Sequence, residues 1–252
     1  MKIVVIGGTG LIGSRVVELL GEHGHDAVAA SPSSGVDTIT GEGLEDAFKG
    51  ADVVVDVSNS PSFADDDVLA FFTTSTRNQL SAEKSSGVKH HVALSIVGAD
   101  RLPHSGYLRA KVAQEKLIRD SGQPYSIVRA TQFYEFAKAI GAAGVVDGVA
   151  RVSSGVMQPV AAADVSAAVA MAAEARSTNG IAEIAGPEKI AQDDFVRRAF
   201  AAIGESTPVV GSPETPYFGA VIDGDELTPG PGARVAATTF DQWLAAQRAA
   251  AQ

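Results

Sequence analysis

The hydrophobic positions of the chain fall into short runs of strand length that alternate with stretches of helical periodicity. Residues 3–6, Ile-Val-Val-Ile, are one apolar run. Residues 11–20 follow with Leu11, Ile12, Val16, Leu19 and Leu20 on one helical stripe, ended by Gly21 and Gly24. Residues 26–30 predict a second strand, residues 36–40 a short third one, and Leu44, Ala47 and Phe48 a short helix. Residues 52–57, Asp-Val-Val-Val-Asp-Val, are nearly continuous in β-branched side chains, as in a parallel strand covered on both faces. A long helix is predicted over 65–86, with Asp65, Asp66 and Asp67 where a helix N-terminus favours negative charge; that explains the acidic run better than a metal site does. Residues 91–96, 125–129 and 181–185 read as further strands, with a helix over 108–121. Strand-helix-strand alternation predicts a parallel sheet with right-handed crossovers. Beyond residue 130 the pattern loosens. Helices are predicted near 133–142, 164–174 (capped by Asp164), 192–203 and 239–249, and the Pro/Gly-rich 206–232 as mostly loop. The chain reads as one α/β domain over 1–252. Its core is 1–130 plus 159–186, and its substrate-side segments are 131–158 and 187–235.

Composition narrows the function classes. A chain of 252 residues with 45% hydrophobic positions can bury a sizeable core. Its net charge of −10 lacks the basic footprint of a nucleic-acid or anionic-membrane binder. With no Cys, disulfides, thiolate zinc sites and cysteine nucleophiles are excluded. No His, Asp and Glu spacing matches a metal site; His90 and His91 open a strand and read as structural, His23 and His25 as solvated. The first apolar run stops at Gly7 after one strand, unlike a secretory signal, and no window is long enough to span a bilayer, so a soluble, cytoplasmic protein is expected.

Gly7-Gly8-Thr9-Gly10-Leu11-Ile12-Gly13 lies between the first strand and the first helix, the context in which a glycine triplet cradles a nucleotide pyrophosphate. Gly7 would permit the tight turn, Gly10 the approach of the phosphates and Gly13 close packing of the helix. Thr9, Leu11 and Ile12 supply the remaining backbone of the cradle. The end of the second strand, Ala29-Ala30-Ser31-Pro32-Ser33-Ser34, has no carboxylate for a ribose 2′-hydroxyl, and Asp26 comes too early. The hydroxyls of Ser31, Ser33 and Ser34 can bond a 2′-phosphate and Arg15 can supply charge, which favours NADP over NAD.

Tyr107 and Lys111 stand four apart, on one face of the predicted helix, and Ser95 ends the preceding strand. Hydride transfer to a carbonyl needs a proton donor for the forming alkoxide. An ammonium beside a tyrosine favours phenolate and lowers its pKa, and a serine hydroxyl can bond the developing oxyanion.

The glycine loop, Ser95 and the Tyr107/Lys111 pair resemble the short-chain dehydrogenase/reductase superfamily, in its extended and atypical branches. Residues 86–95 (Ser-Gly-Val-Lys-His-His-Val-Ala-Leu-Ser), 125–133 (Tyr-Ser-Ile-Val-Arg-Ala-Thr-Gln-Phe) and 159–165 (Pro-Val-Ala-Ala-Ala-Asp-Val) are similar to its NmrA-like NAD(P)-binding proteins. The resemblance covers residues 1–186 and implies a doubly wound sheet of seven strands in order 3-2-1-4-5-6-7. It implies a nicotinamide cofactor contacted by Val57, Ser58 and Asn59, by Lys111 at the ribose, and by Ala130 and Thr131. Thr74 and Asn78 lie in the helix where the superfamily has an active-site asparagine. Phe133, Tyr134 and Phe136 are candidates for an apolar substrate pocket or for core packing. His104 can reach the cleft, and Tyr217 and Phe218 can meet substrate if 206–232 folds over it. The expectation is an NADP(H)-dependent oxidoreductase acting on a small-molecule carbonyl or alcohol, as monomer or homodimer. The alternatives are an NAD(P)-sensing regulator without turnover and an NAD-dependent epimerase or dehydratase.

Overall fold

The computed structural model describes residues 1–250. In chain order the elements are β1 Lys2–Ile6, α1 Gly13–Glu22, β2 Asp26–Ala30, α2 Leu44–Phe48, β3 Val53–Asp56, α3 Asp65–Ser86, β4 His90–Ile96, α4 Gly106–Asp120 and β5 Tyr125–Ala130. There follow α5 Ala137–Ala143, β6 Val145–Val146, β7 Val149–Ser153, β8 Val156–Met157, α6 Ala162–Glu174, β9 Gly180–Ala185, β10 Ile190–Ala191, α7 Gln192–Ala202, β11 Val209–Ser212, β12 Arg234–Val235 and α8 Phe240–Ala250.

Seven parallel strands form the central sheet in the order β12-β9-β5-β4-β3-β1-β2. The architecture is the doubly wound sheet expected. Alternation along the strands sends Val5, Val55 and Val92 to one face, where α1 and α6 cover them with Val16, Leu20, Val165 and Val169. Val4, Ile6 and Val54 point the other way, onto α2 and α3. Each such fully buried valine contributes roughly 1.5–3 kcal/mol over leaving it exposed.

The two sheet edges differ from the expected order. Residues 36–40 form no strand. The Asp37 carboxylate accepts the amides of Ile39 (2.7 Å) and Thr40 (3.2 Å), and Asn78 Nδ2 donates to the carbonyls of Thr38 and Ile39, both 2.9 Å. Side chains thus satisfy backbone groups that a ladder would otherwise need. The seventh strand comes instead from the far end of the chain: β12 pairs with β9, Arg234 opposite Ile184.

After β5 the chain builds a second lobe. β11, β7 and β6 form a small sheet, and β10 pairs with β8. None of the strands between 145 and 157 was expected, because two- to five-residue strands carry almost no periodicity of their own. The lobe has its own core, in which Tyr134, Phe195, Phe240 and Trp243 interlock at centroid distances of 4.6–6.4 Å. Asp164 does not cap its helix. α6 begins two residues earlier, and the Glu135 carboxylate receives the Ala162 amide (3.1 and 3.2 Å). The Asp65–Asp67 run opens α3 as expected, with Asp65 bonded to Arg109 and Asp67 to Ser62. His91 lies 2.7 Å from Glu83, both fully buried, and His90 lies 2.9 Å from Ser126, so both are structural. His23 and His25 share the Glu174 carboxylate at the surface.

Candidate active site and cofactor cradle

The glycine loop turns at the carboxyl end of β1. Gly7 has φ +77°, and a Cβ there would lie 3.0 Å from the Ser58 backbone, so the loop after β3 packs directly on the turn. A Cβ at Gly13 would fall 2.1 Å from the Gly7 carbonyl oxygen. The close packing of the loop on β2 belongs to Gly8, which the sequence reading left without a role: its Cβ would sit 2.6 Å from Ala29 Cα. At Gly10 only the Gly7 oxygen, at 3.3 Å, stands near, which leaves its outer side open. α1 has Ile12 at its N-cap, no side-chain cap and no acid in its first turn. Among the described residues the amides of Leu11 and Ile12 have no acceptor. An uncapped helix end behind an open glycine turn suits an anionic phosphate, so these residues fit a dinucleotide.

At the end of β2 the three serines bond to one another. Ser31 Oγ lies 2.8 Å from Ser33 Oγ, and Ser34 Oγ both receives the Ser31 amide and donates to the Ser31 carbonyl. Ser33 and Ser34 are exposed, Ser31 is buried, and no carboxylate stands at the strand tip. Arg15 is exposed and points elsewhere. With Leu11, Ser14, Glu135, Ala162 and Trp243 it lines an open groove of about 680 Å³ between α1, α6 and α8.

Tyr107 sits in the first turn of α4, whose N-cap Ser105 accepts the Leu108 amide. Its hydroxyl donates to Asn59 Oδ1 at 2.8 Å. Asn59 is placed by the turn after β3, where the Asp56 carboxylate accepts both the amide and the hydroxyl of Ser58 (3.0 and 2.6 Å). Asn59 was expected at the cofactor; its contact with Tyr107 joins residues far apart in sequence and left no local signal. Asn78, in the helix of the expected asparagine, serves the 36–40 turn instead. Burial pushes the Tyr107 phenol up to about 12, against the pull of the Asn59 bond. The direction is opposite to the expectation of a lysine-lowered tyrosine.

Lys111 explains the reversal. Only 3% exposed, it donates to the Leu94 carbonyl (2.9 Å) and to Gln114, and lies 4.2 Å above the Phe72 ring. Phe72 meets Tyr107 edge-on at 6.0 Å, so both residues touch this ring rather than each other's polar atoms. Burial pushes the ammonium down to about 8 although Asp56 and Glu115 oppose the shift.

Ser95, 2% exposed, shares its sheet face with His91 and Ala93 and so points at α4, where it donates to Glu115 Oε1 (2.6 Å). Glu115 is held by Arg129 through two bonds of 2.8 and 2.7 Å, and Arg129 also reaches Asp100 (3.0 Å). The polar atoms of Ser95, Tyr107 and Lys111 therefore have separate partners.

Of the remaining candidates, Val57 follows β3 and donates to the Ile6 carbonyl (3.0 Å), beside the glycine turn. Ala130 is buried at the end of β5, and Thr131 is tied to the carbonyls of Ile184 and Gln158. Gln132 is buried with Oε1 lacking a partner. Phe133 stacks on Phe136 (5.3 Å) and packs with the α1/α6 core. Tyr134 is 0% exposed, with its hydroxyl on the Thr238 carbonyl, so it belongs to the core of the second lobe and not to a pocket wall. His104 is exposed, and its carbonyl approaches Gly219. Tyr217 lies half-buried against Phe218 at 4.7 Å. Among the described residues no cluster of His, Asp and Glu could hold a metal, and no helix is long and apolar enough to cross a membrane.

A parallel doubly wound sheet with an open glycine turn at the end of β1 is the architecture of dinucleotide-binding proteins. The chain belongs to the NAD(P)H-binding family, whose model matches residues 7–176. Photosystem II assembly factor Ycf39 of Synechocystis is 26% identical over 149 residues, 54% of this chain and 46% of that protein, so the match spans less than half the length of the curated relative. Among solved structures the chain is similar to a dTDP-4-dehydrorhamnose reductase from Clostridium acetobutylicum, with TM-score 0.76, 16% identity and 100% of both chains covered. It is also similar to the Thermus thermophilus UDP-glucose 4-epimerase complex with NAD, with TM-score 0.68, 20% identity, and 98% of this chain and 93% of that one covered. A short-chain dehydrogenase/reductase superfamily protein from Agrobacterium tumefaciens with bound NAD gives TM-score 0.72 and 18% identity, with 99% and 96% covered.

Proposed function

We propose that the chain is an NADP(H)-dependent oxidoreductase that moves hydride between the nicotinamide and a small-molecule carbonyl or alcohol. The observation that carries this reading is a tyrosine held as phenol, with its hydroxyl on Asn59 at 2.8 Å, in a site next to an open glycine cradle. The bound dinucleotide supplies the hydride. In the reducing direction Tyr107 Oη gives its proton to the carbonyl oxygen as that oxygen gains charge, and recovers one from solvent. Asn59 orients the hydroxyl. Lys111 is the candidate for the cofactor ribose and reaches it by exchanging its bond to Leu94. Ser95 is the candidate for the carbonyl oxygen if it leaves Glu115; in its present bond it stiffens the β4–α4 packing behind Tyr107.

The preference for NADP rests on the strand tip: hydroxyls at Ser31, Ser33 and Ser34 and no carboxylate. Val57, Ser58 and the glycine loop are the proposed cofactor contacts, together with Ala130 and Thr131. The test is stoichiometric. Purified protein with NADPH and a panel of aldehydes and ketones should oxidise one NADPH per alcohol formed. Absence of net oxidation, with nucleotide carried through purification, would favour internal redox as in an epimerase. Absence of both would favour a sensor.

A further inference from the structure

The segment after β11 crosses back to the start of α4. Arg101 fastens it by donating to the carbonyls of Asp225 (3.2 Å) and Thr228 (2.7 Å). Within it, Tyr217 and Ala220 exchange both backbone hydrogen bonds (2.8 and 3.0 Å) and close a two-residue hairpin whose tip is Phe218-Gly219. Both tip residues are left-handed, at φ +46° and +82°. The first position of such a turn suits Asn, Asp or Gly, and a bulky residue there is strained.

The destination of the ring accounts for the strain. Phe218 stacks on Tyr107 with centroids 5.8 Å apart and planes 25° apart. Phe63, from the loop before α3, lies 5.6 Å from Tyr107 and 5.8 Å from Phe218. Three rings from three segments thus close on one another, yet Phe63 is 54% and Phe218 45% exposed. They stand at the mouth of the site, not in its core. The cations that flank this mouth in sequence are engaged: Arg101 as above, Arg109 with Pro103 and Asp65, and Lys111 over the Phe72 ring.

We propose that the faces of Phe63 and Tyr107 form a subsite for a flat, uncharged aryl group attached to the reacting carbonyl, and that Phe218 fills this subsite while no substrate is bound. The inference rests on Tyr107 as the proton donor and adds the shape of what it protonates. When the hairpin lifts, it carries Phe218 off the Tyr107 face. The incoming ring takes over the Tyr107 face and brings its carbonyl oxygen to the hydroxyl. A mouth of aromatic rings with its cations engaged is poorly suited to a nucleoside diphosphate sugar.

The experiment separates the subsite from the chemistry. Binding of 2-naphthol to the purified full chain is followed by its own fluorescence, with no turnover needed. Phe218→Asn keeps a residue suited to the left-handed turn while removing the ring, and should tighten binding about 3- to 10-fold; Phe63→Ala should weaken it by a similar factor. With NADPH, KM for benzaldehyde should fall in Phe218→Asn and rise in Phe63→Ala, in each case by a larger factor than the KM for butanal changes. Thermal melts and NADPH binding check that both variants fold. The proposal is overturned if Phe218→Asn binds 2-naphthol no tighter than the parent, if Phe63→Ala binds it equally well, or if UDP-glucose binds the parent chain more tightly than 2-naphthol. If the naphthol pattern holds while no carbonyl is reduced, the subsite stands and the oxidoreductase reading fails. If carbonyls are reduced without that pattern, only the subsite fails.

Discussion

The glycine cradle and the mouth above Tyr107 are neighbours in space but are assembled in different ways. The cradle is one stretch of seven residues, Gly7–Gly13, running from the end of β1 into the first residue of α1. Its turn is closed by its own backbone, with the Gly10 amide on the Gly7 carbonyl at 3.0 Å and the Ser14 amide on Gly10 at 3.0 Å. The mouth takes Asn59 and Phe63 from one loop, Phe72 from α3, Tyr107 from α4 and Phe218 from a hairpin near the end of the chain. Backbone geometry is specified by nearby residues and so repeats wherever the same motif occurs. A mouth made of side chains from distant segments can change with any one of them. A local backbone motif therefore marks a cofactor class more readily than scattered side chains mark a substrate.

Four measurements test this contrast. The largest effect is expected from Tyr107→Phe, which should lower turnover by about 10²- to 10⁴-fold while leaving NADPH affinity nearly unchanged; unaltered turnover would remove the hydroxyl from the chemistry. Next comes the support behind both regions. Glu115→Ala leaves the Arg129 guanidinium buried without its main partner, and the denaturation midpoint should report a loss of about 3–5 kcal/mol. An unchanged midpoint would mean that the Ser95–Glu115–Arg129 cluster is not structural.

The third measurement tests Lys111. Burial holds its folded pKa near 8, against 10.5 in the unfolded chain. Between those values the unfolded state binds more protons, so folding stability contributed by this group rises with pH, by up to about 3 kcal/mol. Lys111→Met should flatten that rise in unfolding free energy between pH 8 and 10.5. A slope identical to the parent's would show that the ammonium is not desolvated. The smallest effect concerns the strand tip: NADPH should bind about tenfold more tightly than NADH, about 1.4 kcal/mol, in a direct titration. Equal affinities would leave Ser31, Ser33 and Ser34 as a turn and nothing more.

Much of the fold was legible along the chain, and the reasons are particular. The run Val53-Val54-Val55 sits in the middle of the sheet, where burial on both faces leaves no polar alternation to mislead. Tyr107 and Lys111 fall on α4 as their spacing requires. The third strand failed because Asp37 and Asn78 satisfy the backbone of 36–40, and the Asn78 contribution comes from α3, forty residues on. Tyr134 could be read as a pocket wall or as core. Phe195, Phe240 and Trp243, all from beyond residue 190, surround it and make it core.

The parallel α/β plan, the position of the glycine turn and the pairing of a tyrosine with a lysine on one helix are written locally in the sequence. These follow from periodicities of two and 3.6 residues and from glycine at a turn, all of them local. The long-range packing set the rest: Tyr107 has its hydroxyl on Asn59 and its phenol pushed up by burial, Ser95 and Lys111 are drawn into buried polar contacts, and Phe218 stacks on Tyr107. Desolvation and ring stacking depend on what the rest of the chain brings alongside a residue, and spacing in the sequence does not encode that.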